Sequence, residues 1–284
     1  MRNEVRHNVS AFKQEYLNFR RIDPKPFSLY EFIQPLSLFR YTSVWVPTVA
    51  YSIVFGFCSV LLTVEIPQLF LPKFELNPQQ LGLQFLGILI GLIIGEQFGG
   101  RTSDLWMNRR TKQLGRRPAP EYRLWLSYLG FLLAMVGLIL FSVRLQQATQ
   151  GVWNITPVVS LFHPFAPRQK PLPDTLSQIG IAIAAVGNQI VTTVLVTYAI
   201  DCYVEQSSSI GVFVNVIRST WGFIGPFWFP DMEAALGSSG SGGLMAGLIF
   251  VVSVIPIALL QWRKKSQGAG VPDSIGQGGV APRH

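Results

Sequence analysis

The chain has 284 residues, of which 49% are hydrophobic and only 13% charged, with a mean hydropathy of +0.34 and a net charge of +8. A water-soluble domain carries about 25% charged residues, so half that share, together with 26 Gly, 20 Phe and 7 Trp, marks a chain whose solvent is largely lipid. Two cysteines, Cys58 and Cys202, exclude a disulfide framework or a structural zinc site, and three scattered histidines, His7, His163 and His284, exclude a histidine ligand cluster.

The leader, residues 1–43, is polar and charged and has no signal-peptide pattern. Val5, Phe12, Tyr16 and Phe19 recur within it at near-helical spacing, as in a short helix lying on the inner membrane surface, and a disordered arm is the alternative. A helix needs about 20 mostly apolar residues to cross a bilayer core. The first such run is Val44–Ile66, free of charge between Arg40 and Glu65, with Ser52, Ser59 and Thr63 forming a weak polar track beside Tyr51 and Phe55. That track reads either as a core face or as a cavity wall.

The second run, Leu81–Gly100, carries Glu96 near its end and places Gly87, Gly91, Gly95 and Gly99 at every fourth residue. Such a ridge lets a neighbouring backbone approach closely, for packing or for rocking between helices. Where this run ends, Gly100-Arg101-Thr102-Ser103-Asp104 is followed by Arg109-Arg110. The spacing predicts a tight turn whose carboxylate caps a helix and attracts arginines, a breakable latch on the cytoplasmic side. The third run is Leu124–Val143. The proline-rich stretch from Leu145 to Thr175 reads as an irregular outer loop and contains the sequon Asn154-Ile155-Thr156.

The fourth run, Leu176–Ile200, has a polar stripe, Gln189, Thr193, Thr197 and Asp201, with Asn188 and Thr192 beside it. Amides are costly in lipid, so the stripe lines a solute cavity or forms an interhelical seam. The fifth run, Ser207–Phe229, contains Arg218, about 17 Å from its start and close to mid-membrane. Its counterpart is a snorkelled Asp201, a water-filled cavity, a substrate anion or a chain not present here. The sixth run is Gly243–Trp262, and the tail 263–284, rich in Gly, Pro and Ser, reads as disordered.

Six spans put both termini on one side. That side holds Arg2, Arg20, Arg21, Lys25, Arg109, Arg110, Arg116, Arg117, Arg263, Lys264 and Lys265 among others, against Lys73, Arg144, Arg168 and Lys170 opposite. Cations in short loops stay in the cytoplasm, so both termini are expected there, and the basic excess reports orientation rather than a nucleic-acid partner. Glu65, Glu96 and Asp201 are the candidates for an ion pair or a proton site, with none at mid-depth.

Gly95-Glu96-Gln97 running into Gly100-x-x-x-Asp104, then Pro120-Glu121-Tyr122-Arg123-Leu124-Trp125, resembles the connection between the eighth and ninth spans of the major facilitator superfamily, in its fungal multidrug:proton antiporter-like branch. Thr197-Tyr198-Ala199-Ile200-Asp201-Cys202-Tyr203 and Phe213-Val214-Asn215-Val216-Ile217-Arg218 are similar to its tenth-to-eleventh region, and Trp221-Gly222-Phe223 with Pro230-Asp231-Met232 to the end of its eleventh span. Leu105 and Met107 depart from the loop motif, where a basic residue and glycine are common. The resemblance implies an all-α, polytopic membrane helix bundle, six transmembrane helices arranged as two inverted three-helix repeats, half of a twelve-helix transporter fold with its cavity between halves. By this resemblance the chain corresponds to the carboxyl-terminal half, its first and fourth spans line the cavity, and its leader matches the linker between halves.

The implied function is secondary transport of a small organic solute by alternating access, coupled to protons, with lipid and either a missing amino-terminal half or a second copy as partners. A plasma-membrane location is expected over internal membranes. A truncated membrane protein that only associates with a partner is the alternative. A six-span mitochondrial carrier is excluded by the lack of three Pro-x-[Asp/Glu]-x-x-[Lys/Arg] repeats, and an intramembrane enzyme by the lack of a nucleophile with a base, a carboxylate pair or metal ligands at membrane depth. No cofactor or metal is expected.

Overall fold

The computed structural model describes residues 35, 37–64, 66–68, 78–115, 119–147 and 175–268. The leader up to residue 34, Glu65, the loop 148–174 with its sequon, and the tail beyond residue 268 lie outside the described residues. Within them the chain is all-helical, with no strand. The elements are α1 (Thr42–Phe55), passing into a π-helical turn (Gly56–Leu61), α2 (Pro78–Leu114), α3 (Leu124–Gln147), α4 (Thr175–Cys202), α5 (Ser207–Ile249), a second π-helical turn (Phe250–Val254) and α6 (Ile255–Gly268). Short 3-10 turns, Leu38–Arg40, Pro120–Tyr122 and Val204–Gln206, lead into α1, α3 and α5.

Among the described residues, four stretches are long and apolar enough to cross a membrane: Thr42–Gln68, Pro120–Gln147, Ile179–Cys202 and Val204–Arg263. The last is interrupted at Gly237, whose dihedrals (φ 70, ψ 168) are left-handed and favour glycine. The runs Ser207–Phe229 and Gly243–Trp262 therefore lie on separate arms. The junction is held by side chains: Gln146 Oε1 accepts the Ser239 backbone N–H at 2.8 Å, and Ser241 Oγ donates to the Met232 carbonyl at 3.3 Å.

The second π-turn has a local cause. Pro256 lacks the N–H that the carbonyl four residues earlier needs, and its ring crowds that turn, which the helix relieves by widening just before it. There Ser253 Oγ donates to the Ala50 carbonyl at 3.0 Å, joining this turn to α1.

α4 sits at the centre, with α2 against one side and α3 against another, while α1 leans on α4 and α5. Small residues set these distances. A Cβ on Gly95 would lie 2.7 Å from Gln189 Cβ, and one on Gly91 would overlap the Ala182 carbonyl oxygen. Gly87 is also buried, and Gly99 faces Ile190 and Thr193. On the α3 side Gly130, Ala134 and Gly137 interlock with Gly180, Ala184 and Gly187: a Cβ on Gly137 would lie 2.7 Å from Ala184 Cα and 2.7 Å from the Gly180 oxygen. Leu89, Ile93, Phe98, Phe223, Phe227 and Trp262 point outward, an apolar exterior of the kind lipid requires.

α2 overturns one expectation. The Gly100-x-x-x-Asp104 motif is not a turn: α2 runs on without interruption through Gly99 and Gly100 to Leu114. No proline falls between Pro78 and Leu114, so nothing removes a backbone donor there. The helix ends instead at Gly115 (φ 66), whose N–H donates to the Thr111 carbonyl at 3.0 Å. The tail also begins later than expected, since α6 extends to Gly268.

Candidate functional site

The side chains of α1 divide by what they can reach. Thr48 and Ser52 return their hydroxyls to the carbonyls of Val44 and Thr48, at 2.7 and 2.8 Å, so these groups are satisfied within the helix. Tyr51, one position earlier, carries its hydroxyl too far out for that, and it meets α5. There Arg218 Nη1 donates to Tyr51 Oη at 3.3 Å, Nη2 donates to Asn215 Oδ1 at 2.7 Å, and Cζ stands 4.7 Å from the Phe55 ring centroid. A cation over an aromatic face contributes about 0.5–2 kcal/mol, more as water is excluded.

Below Phe55 the π-turn begins at Gly56, against which the Trp221 indole packs where any Cβ would collide. Phe57, fully buried, meets Trp221 and Trp228 edge-on, with centroids at 6.5 and 6.1 Å. This aromatic wedge fixes α5 against α1 and so sets the height of Arg218. Among the described residues no carboxylate meets Arg218; its partners are a phenol, a carboxamide and a ring. Asp201 is engaged elsewhere.

The polar stripe of α4 divides. Gln189 Nε2 donates to Glu96 Oε2 across the α2 interface, and Thr193 lies beside Gly99, so both stand in an interhelical seam. Thr192, Thr193 and Thr197 hydrogen-bond the carbonyls four residues earlier. Asn188 is buried, and its Oδ1 has no partner among the described residues.

Asp104 and Asp201 converge from α2 and α4 on Arg123, at the start of α3. Arg123 Nη2 is 3.7 Å from Asp104 Oδ1, and its Nε is 3.4 Å from Asp201 Oδ2, close enough for an ion pair but not aligned as a hydrogen bond. The Arg123 side chain is 10% exposed, that of Asp201 23% and that of Asp104 69%. The partner of Asp104 is thus neither Arg109, which is exposed, nor Arg110, which donates to Gln113 Oε1 at 3.0 Å and to Tyr122 Oη at 3.2 Å. Gly100 has open space around it. Nearby, Tyr128 Oη donates to Gln261 Oε1 at 2.6 Å and Gln261 Nε2 donates to the Glu121 carbonyl at 3.1 Å, tying α3 to α6.

The sequence motifs contain Arg123 and Asn215 but assign them no site role, and Tyr128, Gln261 and the α3–α4 seam were passed over. The seam had a signal, since Gly130, Ala134 and Gly137 share their four-then-three spacing with Gly180, Ala184 and Gly187. Arg123 had none beyond its place among the loop cations and in the Pro120–Trp125 stretch that carries the resemblance.

The chain is similar to several fungal transport proteins. It is 25% identical over 235 residues to the MFS-type transporter penM of Penicillium rubens, covering 82% of this chain and 41% of that protein. It is 26% identical over 182 residues to the probable efflux pump mfs2 of Aspergillus flavus, covering 64% and 37%. It is 26% identical over 226 residues to the efflux pump atB of Aspergillus terreus, covering 74% and 41%. The chain thus spans about two-fifths of the length of these relatives. No family model and no solved structure matches it.

Proposed function

We propose that this chain, which belongs to the major facilitator superfamily by its kinship with these fungal transporters, forms one six-helix half of a secondary transporter that moves a small organic solute by alternating access, coupled to protons. What supports this is the run of similarity to proteins named as transporters and efflux pumps, joined to a cation, Arg218, held in an apolar span by neutral partners. The wall formed by Phe55, Asn215 and Arg218, with buried Tyr51 holding the guanidinium from behind, faces the solute, and the partner half, or a second copy of the chain, closes the site from the other side. The Arg123 cluster holds α2, α3 and α4 together at the end that, with its excess of basic loop residues, is assigned to the cytoplasm together with both termini. Glu96 and Asp201, already hydrogen-bonded or ion-paired, are the described carboxylates from which proton coupling is drawn. The plasma membrane is the expected location.

The test is a flux measurement on vesicles containing the purified chain alone, and the chain together with a separately expressed amino-terminal half of a relative. Uptake or efflux driven by an imposed pH gradient, lost on substituting Arg218, is expected in the two-half preparation. Correctly inserted protein that supports no pH-dependent flux in either preparation refutes the transport function.

A further inference from the structure

The partners of Arg218 also bear on the kind of solute that meets it. A guanidinium presents five N–H donors in a planar fork, and here two hydrogen bonds engage it, one to a phenol and one to a carboxamide. Neither neutralises it. Among the described residues Asp104 and Asp201 are spent on Arg123, so the charge at mid-span stands without a counterion. An uncompensated charge in a low-dielectric environment attracts an anion strongly, and the cost of desolvating it is offset only when a partner arrives. Beside it, the rings of Tyr51 and Phe55 lie 6.0 Å apart, tilted by 57°; Tyr51 is buried, so the half-buried Phe55 ring is the apolar surface next to the remaining N–H donors.

We infer that the Arg218 cluster binds an organic anion with a planar, apolar body, its anionic group on the guanidinium and its ring system against the exposed part of Phe55. This rests on the Arg218 face being the solute-facing wall proposed above. A phospholipid headgroup carries the same anionic chemistry, but Arg218 lies about 17 Å along α5 from Ser207, halfway through a hydrocarbon core of about 30 Å. Headgroups stay at the interface, so a free solute fits the depth.

The experiment measures equilibrium binding of tritiated naphthoate to the full chain in nanodiscs of phosphatidylcholine. Naphthylmethylamine, naphthylmethanol and acetate serve as competitors, and a second set of nanodiscs contains phosphatidylglycerol. Saturable naphthoate binding is expected, with the amine, the alcohol and acetate each competing at least about tenfold less well than unlabelled naphthoate and with no effect of phosphatidylglycerol. Arg218→Gln should weaken binding about tenfold or more, and Arg218→Lys less, since the charge is kept while the fork is lost. The competition series on the unsubstituted chain decides the matter even if a variant fails to fold. Equal or better displacement by the amine, absence of saturable binding, or loss of binding in phosphatidylglycerol overturns the inference. Naphthoate binding without flux in any vesicle preparation leaves this site standing and refutes transport, whereas flux of amines without naphthoate binding does the reverse.

Discussion

The α3–α4 seam makes a quantitative prediction, because the atoms that a side chain at Gly137 would strike belong to the backbone of α4. A methyl group there would sit 2.7 Å from Ala184 Cα and 2.7 Å from the Gly180 oxygen, and it would also overlap Ala184 N. Carbon contacts settle at about 3.5–4.0 Å, so the helices must part locally by about 0.8 Å, and no rotamer change can absorb the shift. Overpacking of this kind costs about 1–3 kcal/mol. Replacing glycine by alanine in a helix returns about 1 kcal/mol through propensity, so Gly137→Ala should destabilise the bundle by up to about 2 kcal/mol net. Gly100→Ala, the same chemical change with nothing within 4 Å, should be neutral or stabilising by up to about 1 kcal/mol. Equilibrium unfolding in a mild-detergent and dodecyl sulfate series, followed by far-ultraviolet circular dichroism, separates the two. Once the seam is open a second methyl should cost less, so Gly137→Ala combined with Gly187→Ala should fall short of the sum of the single losses. If Gly137→Ala proves more stable than the parent, as Gly100→Ala can be, the close approach of these helices is wrong.

At the Arg123 cluster, Arg123→Gln should cost about 1–2 kcal/mol by leaving partly buried Asp201 without its counter-charge, while Asp104→Asn, at a well-exposed carboxylate, should cost under about 0.5 kcal/mol. Thermal melts of the variants would contradict this arrangement if Asp104→Asn were the more damaging. Gln146→Ala removes the acceptor for the Ser239 N–H beyond Gly237 and should cost about 1 kcal/mol, in line with other lost helix caps; faster hydrogen exchange confined to residues 237–241 is the expected sign, and unchanged exchange there would refute the cap. Tyr128→Phe deletes a 2.6 Å hydrogen bond to Gln261 and should cost about 0.5–1.5 kcal/mol. Cross-linking between cysteines introduced on α3 and α6 should then become less specific, and an unaltered pattern would show that α6 is held by other contacts.

Much of the helical plan can be read from composition, because a chain that must satisfy its backbone inside lipid has few choices other than helices. Apolar runs therefore locate the helices well, while their ends depend on subtler signals. The end of α2 shows the difference. Two adjacent glycines and a downstream carboxylate look like a turn, yet without a proline the helix simply continues until Gly115 provides a left-handed residue. Periodicity likewise marks Gln189 and Thr193 as lying on one face, but whether that face meets water or another helix depends on α2, whose glycine ridge brings it close enough for Glu96 to take up the Gln189 amide. Arg123 illustrates the remaining gap. Its importance comes from three helix ends meeting in space, and no local pattern around position 123 encodes the approach of residues 104 and 201.

The placement of α4 restricts where this protein can vary. With glycine and alanine contacts along the sides facing α2 and α3, most enlargements of α4 or of those facing surfaces push backbones apart. The wall shared by α1 and α5 is different, because Asn215 stands on open surface and Tyr51 and Phe55 meet α5 through side-chain ends rather than backbone. Side chains there can be exchanged without moving a helix, so the sequence can explore new chemistry on α1 and α5 while α2, α3 and α4 remain an almost unalterable slab behind it.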